Sequence, residues 1–216
     1  MWCKIKLSDV IITRLSVYLR ILSEFEEWRR ETVSSAEMAK ITGFTDAQIR
    51  KDLSSLGQLG ISGRGYDVKR LREVLSQVLG LGNQWKVALV GIGNLGSALL
   101  AYPGFKEQGF NIIAVFDNDP GKTGKNRKGI IVQNVRELAA TVRSAEIKIG
   151  IIAVPASEAR KVADNLLKAG VECILNFAPL RLKLPKEVKL RNVDLTMELE
   201  NFSCFLTNKS RWKGSL

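Results

Sequence analysis

The stretch VALVGIGNLGSALL, residues 87–100, decides the fold. It starts as an apolar run rich in β-branched residues and continues, after a glycine-rich turn, as a helix-forming run. In a strand, turn and helix spaced as G-x-G-x-x-G, the first glycine permits the turn, the second lets a pyrophosphate approach the backbone, and the third lets the helix pack on the sheet. The residues that we predict to hold a dinucleotide here are Gly91, Ile92, Gly93, Asn94, Leu95 and Gly96.

The next apolar run supplies the acidic residue that such a site uses. FNIIAVFD, residues 110–117, predicts a strand that ends in Asp117, 26 residues after Gly91. A carboxylate at this point accepts hydrogen bonds from the adenosine ribose and repels a 2′-phosphate, so the pattern favours NAD(H) over NADP(H). Arg127 and Lys128 follow ten residues later and would weaken that preference. The alternative is that Asp117 only caps the turn in DNDPG.

Beyond Trp85, short apolar runs alternate with helical stretches. The runs KVALVG, FNIIAVFD, IKIGIIAVP and ECILNFA read as strands, and amphipathic segments separate most of them. Repeated strand, helix, strand order predicts a parallel sheet with right-handed crossovers. The chain is therefore predicted to be an α/β protein with a Rossmann domain, followed by one more amphipathic helix in VDLTMELENFSCFLTNKSRW.

The first third of the chain predicts a helix-turn-helix. Ahead of it, apolar residues at helical spacing between Ser8 and Trp28 predict a long amphipathic helix. In SSAEMAKITGFTDAQIRKDL, the small Ala39 allows two helices to approach, Gly43 permits the sharp turn, and Ile49 packs the second helix on the first. The second helix would direct three side chains toward DNA, those of Gln48, Arg50 and Lys51.

Glycines crowd the segment GQLGISGRGY, residues 57–66, which predicts a tight two-stranded turn. A β-wing with Arg64 at its tip would contact the minor groove or the DNA backbone. Without the wing, an ordinary helical hairpin would explain the two helices equally well. With it, we favour a winged helix that binds DNA.

The composition excludes several kinds of site. The chain has no histidine, which removes the commonest general base and metal ligand. Cys3, Cys173 and Cys204 lie far apart without a C-x-x-C pair, so we expect reduced thiols and neither a disulfide framework nor a metal site. The net charge of +11 suits a polyanionic partner, but 20 of the 33 Lys and Arg lie in residues 83–216, so charge alone does not indicate DNA binding. No apolar run reaches the roughly 18 residues of a membrane span, and we expect a cytoplasmic protein.

These patterns divide the chain into a winged helix-turn-helix domain, 1–82, a Rossmann domain, 83–190, and a C-terminal helical segment, 191–216. The middle domain is little larger than a dinucleotide fold and leaves no room for a substrate domain. We therefore expect no catalytic residue and no turnover. Two alternatives stay open: a small NAD-dependent oxidoreductase whose N-terminal helices form a dimerisation arm, and redox sensing by the thiols.

The order of motifs resembles the Rex family of redox-sensing transcriptional repressors over essentially the full length. The similarity lies in TRLSVYLRIL, QIRKDLSSLG, GRGYDV, VGIGNLGSALLAYPGF, FDNDPGKTG, ILNFAP and NVDLTMEL. It implies a homodimer that binds palindromic operator DNA when NADH is scarce and releases it when NADH binds. It also implies that the C-terminal helix is exchanged between the two subunits.

The resemblance implies roles for four further residues. Tyr102 matches the residue beside the nicotinamide that responds to redox state, and Arg14 and Arg20 match arginines at the domain junction. Asp194 matches the acid that pairs with the equivalent of Arg20 across the dimer in one of the two states. Leu195 departs from relatives that carry an aromatic residue there, so a ring stacked near the nicotinamide is not expected.

Overall fold

A computed structural model of the protein describes residues 7–209, which divide after Asn83 into two compact units. Cys3 and the outermost parts of the first and last predicted segments, 1–6 and 210–216, lie outside the described residues. No helix within 7–209 combines the length and the apolar character needed to cross a membrane.

The first unit begins with a long helix, α1 (Asp9–Glu27). Ser8 caps it by accepting the N–H of Ile11 through its side chain. The predicted apolar stripe faces inward and buries Leu15, Leu22 and Phe25, together with others of the same face. The long helix between Ser8 and Trp28 is thus confirmed, and it forms one wall of the core of this unit.

The helix-turn-helix follows. Its elements are β1 (Thr32–Val33), α2 (Ser35–Thr42) and α3 (Asp46–Ser54). Ser34 and Glu37 form a reciprocal capping box at the start of α2, and Gly43 ends the helix in the left-handed region at φ +72°. Thr45 then caps α3 through its side chain. Ala39 packs at the edge of the core and Ile49 is fully buried, as the spacing predicts.

The glycine-rich segment forms the predicted wing. Its strands are β2 (Gly60–Ile61) and β3 (Gly65–Asp67), and α4 (Val68–Val78) follows directly. β3 pairs antiparallel with β2 and also with β1, which the sequence did not indicate. A side chain at Gly65 would collide with the backbone of Val33, so glycine is what allows β1 to join the wing.

The second unit contains a sheet of seven strands. Its first half consists of β4 (Trp85–Val90), α5 (Asn94–Ala101), α6 (Pro103–Glu107), β5 (Phe110–Asp117), β6 (Asn126–Arg127) and β7 (Ile130–Asn134). Its second half consists of α7 (Leu138–Ser144), β8 (Ile149–Ile152), α8 (Ala156–Lys168), β9 (Cys173–Asn176), β10 (Lys189–Asn192) and α9 (Leu195–Thr207).

The strand order is β10-β9-β8-β4-β5-β7-β6, and every pair except β6 with β7 is parallel. β4 lies between β5 and β8. The chain first adds strands on the β5 side of β4 and then crosses over to add β8, β9 and β10 on the other side, so the order of the strands reverses at β4. In open parallel sheets this reversal leaves a crevice outside the carboxyl ends of the two strands, where ligands bind. The predicted α/β Rossmann fold is confirmed.

Three strands of this sheet were not predicted: β6, β7 and β10. β10 pairs with β9 in parallel through residues 189–192, so the predicted division between 190 and 191 falls inside a strand. The sheet is covered on one face by α7 and α8, which contribute Leu138, Val162 and Leu166 to the core. Leu99 and Phe105 from α5 and α6 pack on the other face.

Asn176, at the end of β9, is a buried hydrogen-bond centre. Its side-chain amide donates to the carbonyls of Ala178 and Leu180 and to Oδ1 of Asn192, and its Oδ1 accepts the N–H of Ala178. Its own carbonyl accepts the N–H of Val193 at 2.8 Å. This centre therefore fixes the chain just before α9.

Helix α9 contrasts with the rest of the unit, because no side chain between Leu195 and Thr207 is buried. Its predicted apolar stripe is present but open to solvent. The four side chains of the stripe, which we term the α9 stripe, are 63–69% exposed: Leu195, Leu199, Phe202 and Leu206.

Candidate nucleotide and DNA-binding sites

The glycine-rich turn follows β4 as predicted and closes tightly against the end of β8. Gly91 has φ +95°, and a side chain there would collide with the carbonyl of Ala153. A side chain at Gly96 would collide with the carbonyl oxygen of Gly91. Gly93 differs, because a Cβ there would meet no atom within 4 Å. The first and third glycines thus build the turn, and the second keeps open the space above it.

Asp117 is buried at the end of β5, with only 6% of its surface exposed. Its Oδ2 accepts the N–H of Ile92 at 2.9 Å, and its Oδ1 accepts the N–H of Asp119 at 2.9 Å. Lys122 Nζ lies 3.3 Å from Oδ2. Burial opposes ionisation, but these N–H groups and the ammonium hold the pKa of the Asp117 carboxyl below its usual value. The carboxylate is ionised and caps the local turn, and it retains lone-pair capacity for a further donor.

A cleft of about 650 Å³ opens at this edge of the sheet. It brings together three of the predicted ligand residues, Gly91, Gly93 and Asp117, while Asn94, Leu95, Gly96 and Tyr102 lie outside its lining. Ile92 is buried, and its N–H is committed to Asp117. The sequence reasoning missed the other polar and charged residues of the lining, which are Asn118, Asp119, Lys122, Asn134, Arg136, Glu158, Lys161 and Asn165.

Two of the missed residues, Asn134 and Arg136, share a signal that the motif does not contain. Asn134 is the last residue of β7, and Arg136 follows two residues later. Side chains that follow the carboxyl ends of parallel strands converge at one edge, so a correct assignment of β7 would have placed them in the crevice. The lining combines three cations, Lys122, Arg136 and Lys161, with three carboxylates, Asp117, Asp119 and Glu158, so its formal charges balance.

Tyr102 lies at the junction of α5 and α6 and is 57% exposed. Its ring packs edge-on against Phe105, with the ring centroids 5.2 Å apart. The role beside a nicotinamide that the resemblance implies stays a prediction.

Helix α3 exposes two of its three side chains that are predicted to meet DNA. Ile49 and Leu53 face the core, while Arg50 and Lys51 are exposed. Arg50 pairs with Asp46 at 2.5 Å and donates to Ser35 Oγ at 3.2 Å, so its guanidinium lies between α2 and α3. Gln48 is half-buried within the first turn of α3.

A groove of about 650 Å³ separates α3 from the wing. Arg50 and Arg64 both line it, together with hydroxyl side chains from the start of α2, Ser34 and Ser35. Arginines, hydroxyls and a helix N-terminus are the groups that bind phosphate oxygens in protein–DNA complexes. Two of the four predicted DNA-binding residues therefore meet in one basic groove within the first unit.

The other predicted residues fall in separate places. Arg14 donates two hydrogen bonds to Asp52 within the first unit, whereas Arg20 is exposed on the same helix. Asp194 caps α9 by accepting the N–H of Thr196 at 3.0 Å. The pairing of Arg20 with Asp194 concerns two subunits and stays a prediction.

The described cysteines differ in their surroundings. Cys173 is half-buried at the start of β9, and burial raises the pKa of its thiol. A raised pKa reduces the thiolate fraction that reacts with oxidants, which disfavours a sensing role. Cys204 is exposed on α9.

Known proteins match both units. The family described as "CoA binding domain" matches residues 82–180, and the family described as "Putative DNA-binding protein N-terminus" matches residues 6–54. The redox-sensing transcriptional repressor Rex of Carboxydothermus hydrogenoformans is 50% identical over 195 residues, covering 90% of this chain and 94% of that protein. The Rex of Desulforamulus reducens is 44% identical over 207 residues and covers 96% and 99%.

The chain belongs to the Rex family of redox-sensing transcriptional repressors. Solved structures of RSP, a Rex-family repressor, agree with this assignment. RSP in complex with β-NAD⁺ and operator DNA is 35% identical, with a TM-score of 0.90 over 94% of each chain. RSP in complex with β-NADH is 34% identical, with a TM-score of 0.85 over 96% of this chain and 97% of that one.

Proposed function

We propose that this protein is a transcriptional repressor that senses the ratio of NADH to NAD⁺. It binds palindromic operator DNA when NADH is scarce and releases the DNA when NADH binds. The observation that carries the proposal is the presence, in one Rex-family chain, of a dinucleotide cleft at the reversal point of the sheet and a basic groove beside α3. Because its relatives are repressors, we do not propose the oxidoreductase alternative.

The residues of the cleft fit NAD(H). The open space above Gly93 suits a pyrophosphate, which the first turn of α5 would bind through backbone N–H groups. The ionised Asp117 would accept the ribose hydroxyls. When bound, NAD(H) supplies a nicotinamide whose oxidised and reduced forms differ in charge and planarity, and Tyr102 is the residue proposed to respond to that difference.

The match to the CoA-binding family makes CoA a second candidate ligand, since CoA also contains an adenosine joined to a pyrophosphate. Asp117 favours the dinucleotide, because a carboxylate at the adenosine ribose repels the phosphate that CoA carries there. CoA is therefore a control ligand in the test below.

The protein would form a homodimer in the cytoplasm. In each subunit, residues 1–82 would bind DNA, residues 83–190 would bind the nucleotide, and residues 191–216 would be exchanged with the partner subunit. A palindromic operator requires two DNA-reading units related by a two-fold axis. The α9 stripe supports pairing of two chains, since exposed apolar faces of this kind mark interaction surfaces. Arg20 of one subunit would pair with Asp194 of the other in one of the two states of the dimer.

NADH must discriminate between two arrangements of the dimer to act as a switch. Shifting an equilibrium from 1:99 to 99:1 requires about 5.5 kcal/mol of differential binding. An ion pair that exists in only one arrangement supplies part of this energy, and more if it is shielded from solvent.

The test is selection of duplexes from a random pool, followed by titration of the selected duplex with nucleotides. We expect a palindromic sequence, release by micromolar NADH, and no release by NADPH or CoA. Arg50→Ala should weaken binding of the selected duplex and leave NADH binding unchanged. Binding that is indifferent to NADH would contradict the sensing function, and steady consumption of NADH with carbonyl substrates would favour an enzyme.

A further inference from the structure

Arg14, Tyr18 and Asp52 form a closed polar cluster between α1 and α3. Arg14 Nε lies 2.6 Å from Oδ2 of Asp52, and Arg14 Nη2 lies 2.7 Å from Oδ1. The hydroxyl of Tyr18 donates to Oδ2 at 2.9 Å. The Asp52 side chain is 4% exposed, that of Arg14 is 13% exposed, and Tyr18 is completely buried.

The cluster constrains α3 in a way that its apolar contacts do not. Ile49 and Leu53 pack α3 onto the core through contacts that tolerate small rotations and shifts, since hydrophobic burial is non-directional. A two-point guanidinium–carboxylate pair has one preferred geometry, because two parallel N–H groups must meet two oxygens in a plane. The pair therefore fixes the rotation of α3 about its axis and its position along α1.

Asp52 is well placed to transmit this constraint to the exposed face. It follows Arg50 and Lys51 directly, and successive residues of a helix are rotated by about 100°. Holding Asp52 inward at two points thus determines the direction in which the two cations leave the helix. A buried ion pair contributes little net stability relative to apolar packing, so its effect on geometry is the stronger reason for its presence.

We infer that Arg14 and Tyr18 are positioning residues for DNA recognition, which act through Asp52 to set the orientation of α3. The inference rests on the proposed function, because it assumes that α3 reads operator DNA. It assigns Arg14 a place inside the first unit, whereas the resemblance alone implied a place at the domain junction.

DNA binding has a nonspecific and a specific component, and the cluster should affect them differently. Nonspecific affinity comes from cations near phosphates and survives a small rotation of α3, because Arg50, Lys51 and Arg64 keep their charges. Specific affinity depends on side chains that meet base edges with correct geometry, and a rotation of α3 removes it. Loss of the cluster should therefore lower the ratio of specific to nonspecific affinity.

The experiment uses full-length protein, a duplex selected by the wild type, and a shuffled duplex of equal composition. The variants are Arg14→Ala, Arg14→Lys, Tyr18→Phe and Asp52→Asn. The matched control is Arg72→Ala, which also removes one positive charge but breaks a pair between α1 and α4, Arg72 Nε to Glu26 Oε2 at 2.7 Å. Dissociation constants for both duplexes and for NADH are measured well below each protein's melting temperature.

We expect Arg14→Ala and Asp52→Asn to weaken binding of the selected duplex by about tenfold or more, the scale of one lost base contact. Binding of the shuffled duplex should change no more than in Arg72→Ala, and NADH affinity should not change. Arg14→Lys and Tyr18→Phe should fall between these variants and the wild type, since each keeps part of the cluster.

Two results would overturn the inference in distinguishable ways. Variants that melt at lower temperature but keep the wild-type ratio of the two affinities assign the cluster to stability alone. A wild-type protein that selects no duplex at all overturns the proposed function together with this inference.

Discussion

Asp117 accepts the N–H of Ile92 at 2.9 Å, which joins the end of β5 to the glycine-rich turn after β4. The carboxylate that is proposed to bind the ribose therefore also fixes the turn proposed to bind the pyrophosphate. Contacts to the two parts of such a ligand would be coupled through one side chain. Double use of this kind makes Asp117 more sensitive to substitution than a residue that only contacts the ligand.

Asp117→Asn should weaken NADH binding by about tenfold and reduce the discrimination against NADPH. The amide removes the negative charge, and its NH₂ group would face either the N–H of Ile92 or that of Asp119, where two donors cannot pair. Calorimetric titration with both nucleotides measures the effect. Glu172→Gln is the control, since this exposed carboxylate pairs with Lys148 away from the cleft. Unchanged selectivity in Asp117→Asn would contradict a ribose-binding role.

Gly93→Leu and Gly91→Ala should fail in different ways. The space above Gly93 is open, so leucine leaves the fold intact and blocks only the pyrophosphate. The repressor would then bind DNA at any NADH concentration. Alanine at Gly91 must adopt φ +95° and collides with Ala153, which should cost about 2 kcal/mol or more of unfolding free energy. Thermal unfolding and NADH titration of both variants distinguish a blocked site from a damaged fold.

Leu199→Lys should separate the proposed dimer. Leucine at this point of the α9 stripe loses about 2 kcal/mol of burial when replaced, and an ammonium must also be desolvated, so the dimer dissociation constant should rise at least 30-fold. Analytical ultracentrifugation over a range of concentrations measures the change. Asn201→Lys adds the same charge to the same helix outside the stripe and should leave the dimer intact. Equal effects of both substitutions would show that charge, rather than the stripe, governs association.

Acid should destabilise the first unit partly through Glu37. The N–H of Ser34, then Arg30 and the Ser34 hydroxyl, lower the pKa of Glu37 from 4.5 to about 2. Because the pKa is lower in the folded state, the contacts stabilise the fold above pH 4.5 and are lost as the pH falls toward 2. The side chain is 39% exposed and therefore partly screened, so Glu37→Gln should cost about 1 kcal/mol at neutral pH.

The measurement is thermal unfolding at several pH values. Glu37→Gln should lose less stability than the wild type between pH 4.5 and about 2, the range over which the wild-type carboxylate is protonated. Glu27→Gln, at the exposed end of α1, serves as the control. Parallel pH curves for Glu37→Gln and the wild type would rule out the capping carboxylate as a source of acid sensitivity.

Asn176→Leu should be strongly destabilising, although leucine and asparagine branch at the same carbon, Cγ. It leaves the N–H of Ala178 without its acceptor and the carbonyl of Leu180 without the amide donor, and a buried unpaired group costs about 1–3 kcal/mol. Asn176→Asp keeps the acceptor for Ala178 but loses the donors. Chemical denaturation should show a large loss in both variants, because aspartate places a buried carboxylate oxygen against the oxygens of Ala178, Leu180 and Asn192. A stability equal to the wild type in either variant would exclude the role of this centre.

Most of the correctly predicted helices and strands were recognised from patterns within short stretches of sequence. The strand, turn and helix around Gly91 occupy 14 consecutive residues, so their periodicity and glycine spacing are visible at once. β1 was missed because a strand of two residues is too short to show a periodicity. Its partner strand is also distant in sequence, since Val33 pairs with Tyr66. β10 was missed because KLRN is mostly charged or polar, as edge strands often are.

The site residues likewise divide into those that a local sequence pattern predicts and those that only the tertiary structure brings into place. Asp117 was found because its offset from the glycines is nearly constant in dinucleotide folds. The pair of Arg14 and Asp52 joins residues 38 positions apart, and both residue types are common on exposed helix faces. Their inward orientation depends on how α1 and α3 pack, which no local pattern contains. Lys161 enters the cleft for a similar reason, because only the winding of the sheet brings α8 to it.

The α9 stripe has a consequence for how repression depends on the amount of protein. If pairing through this helix creates the DNA-binding form, occupancy of an operator varies with the square of subunit concentration when subunits are scarce. A modest fall in expression, or dilution during rapid growth, would then relieve repression even at a constant nucleotide ratio. The exposed side chains of α9 would thus make gene dosage a second input to the switch.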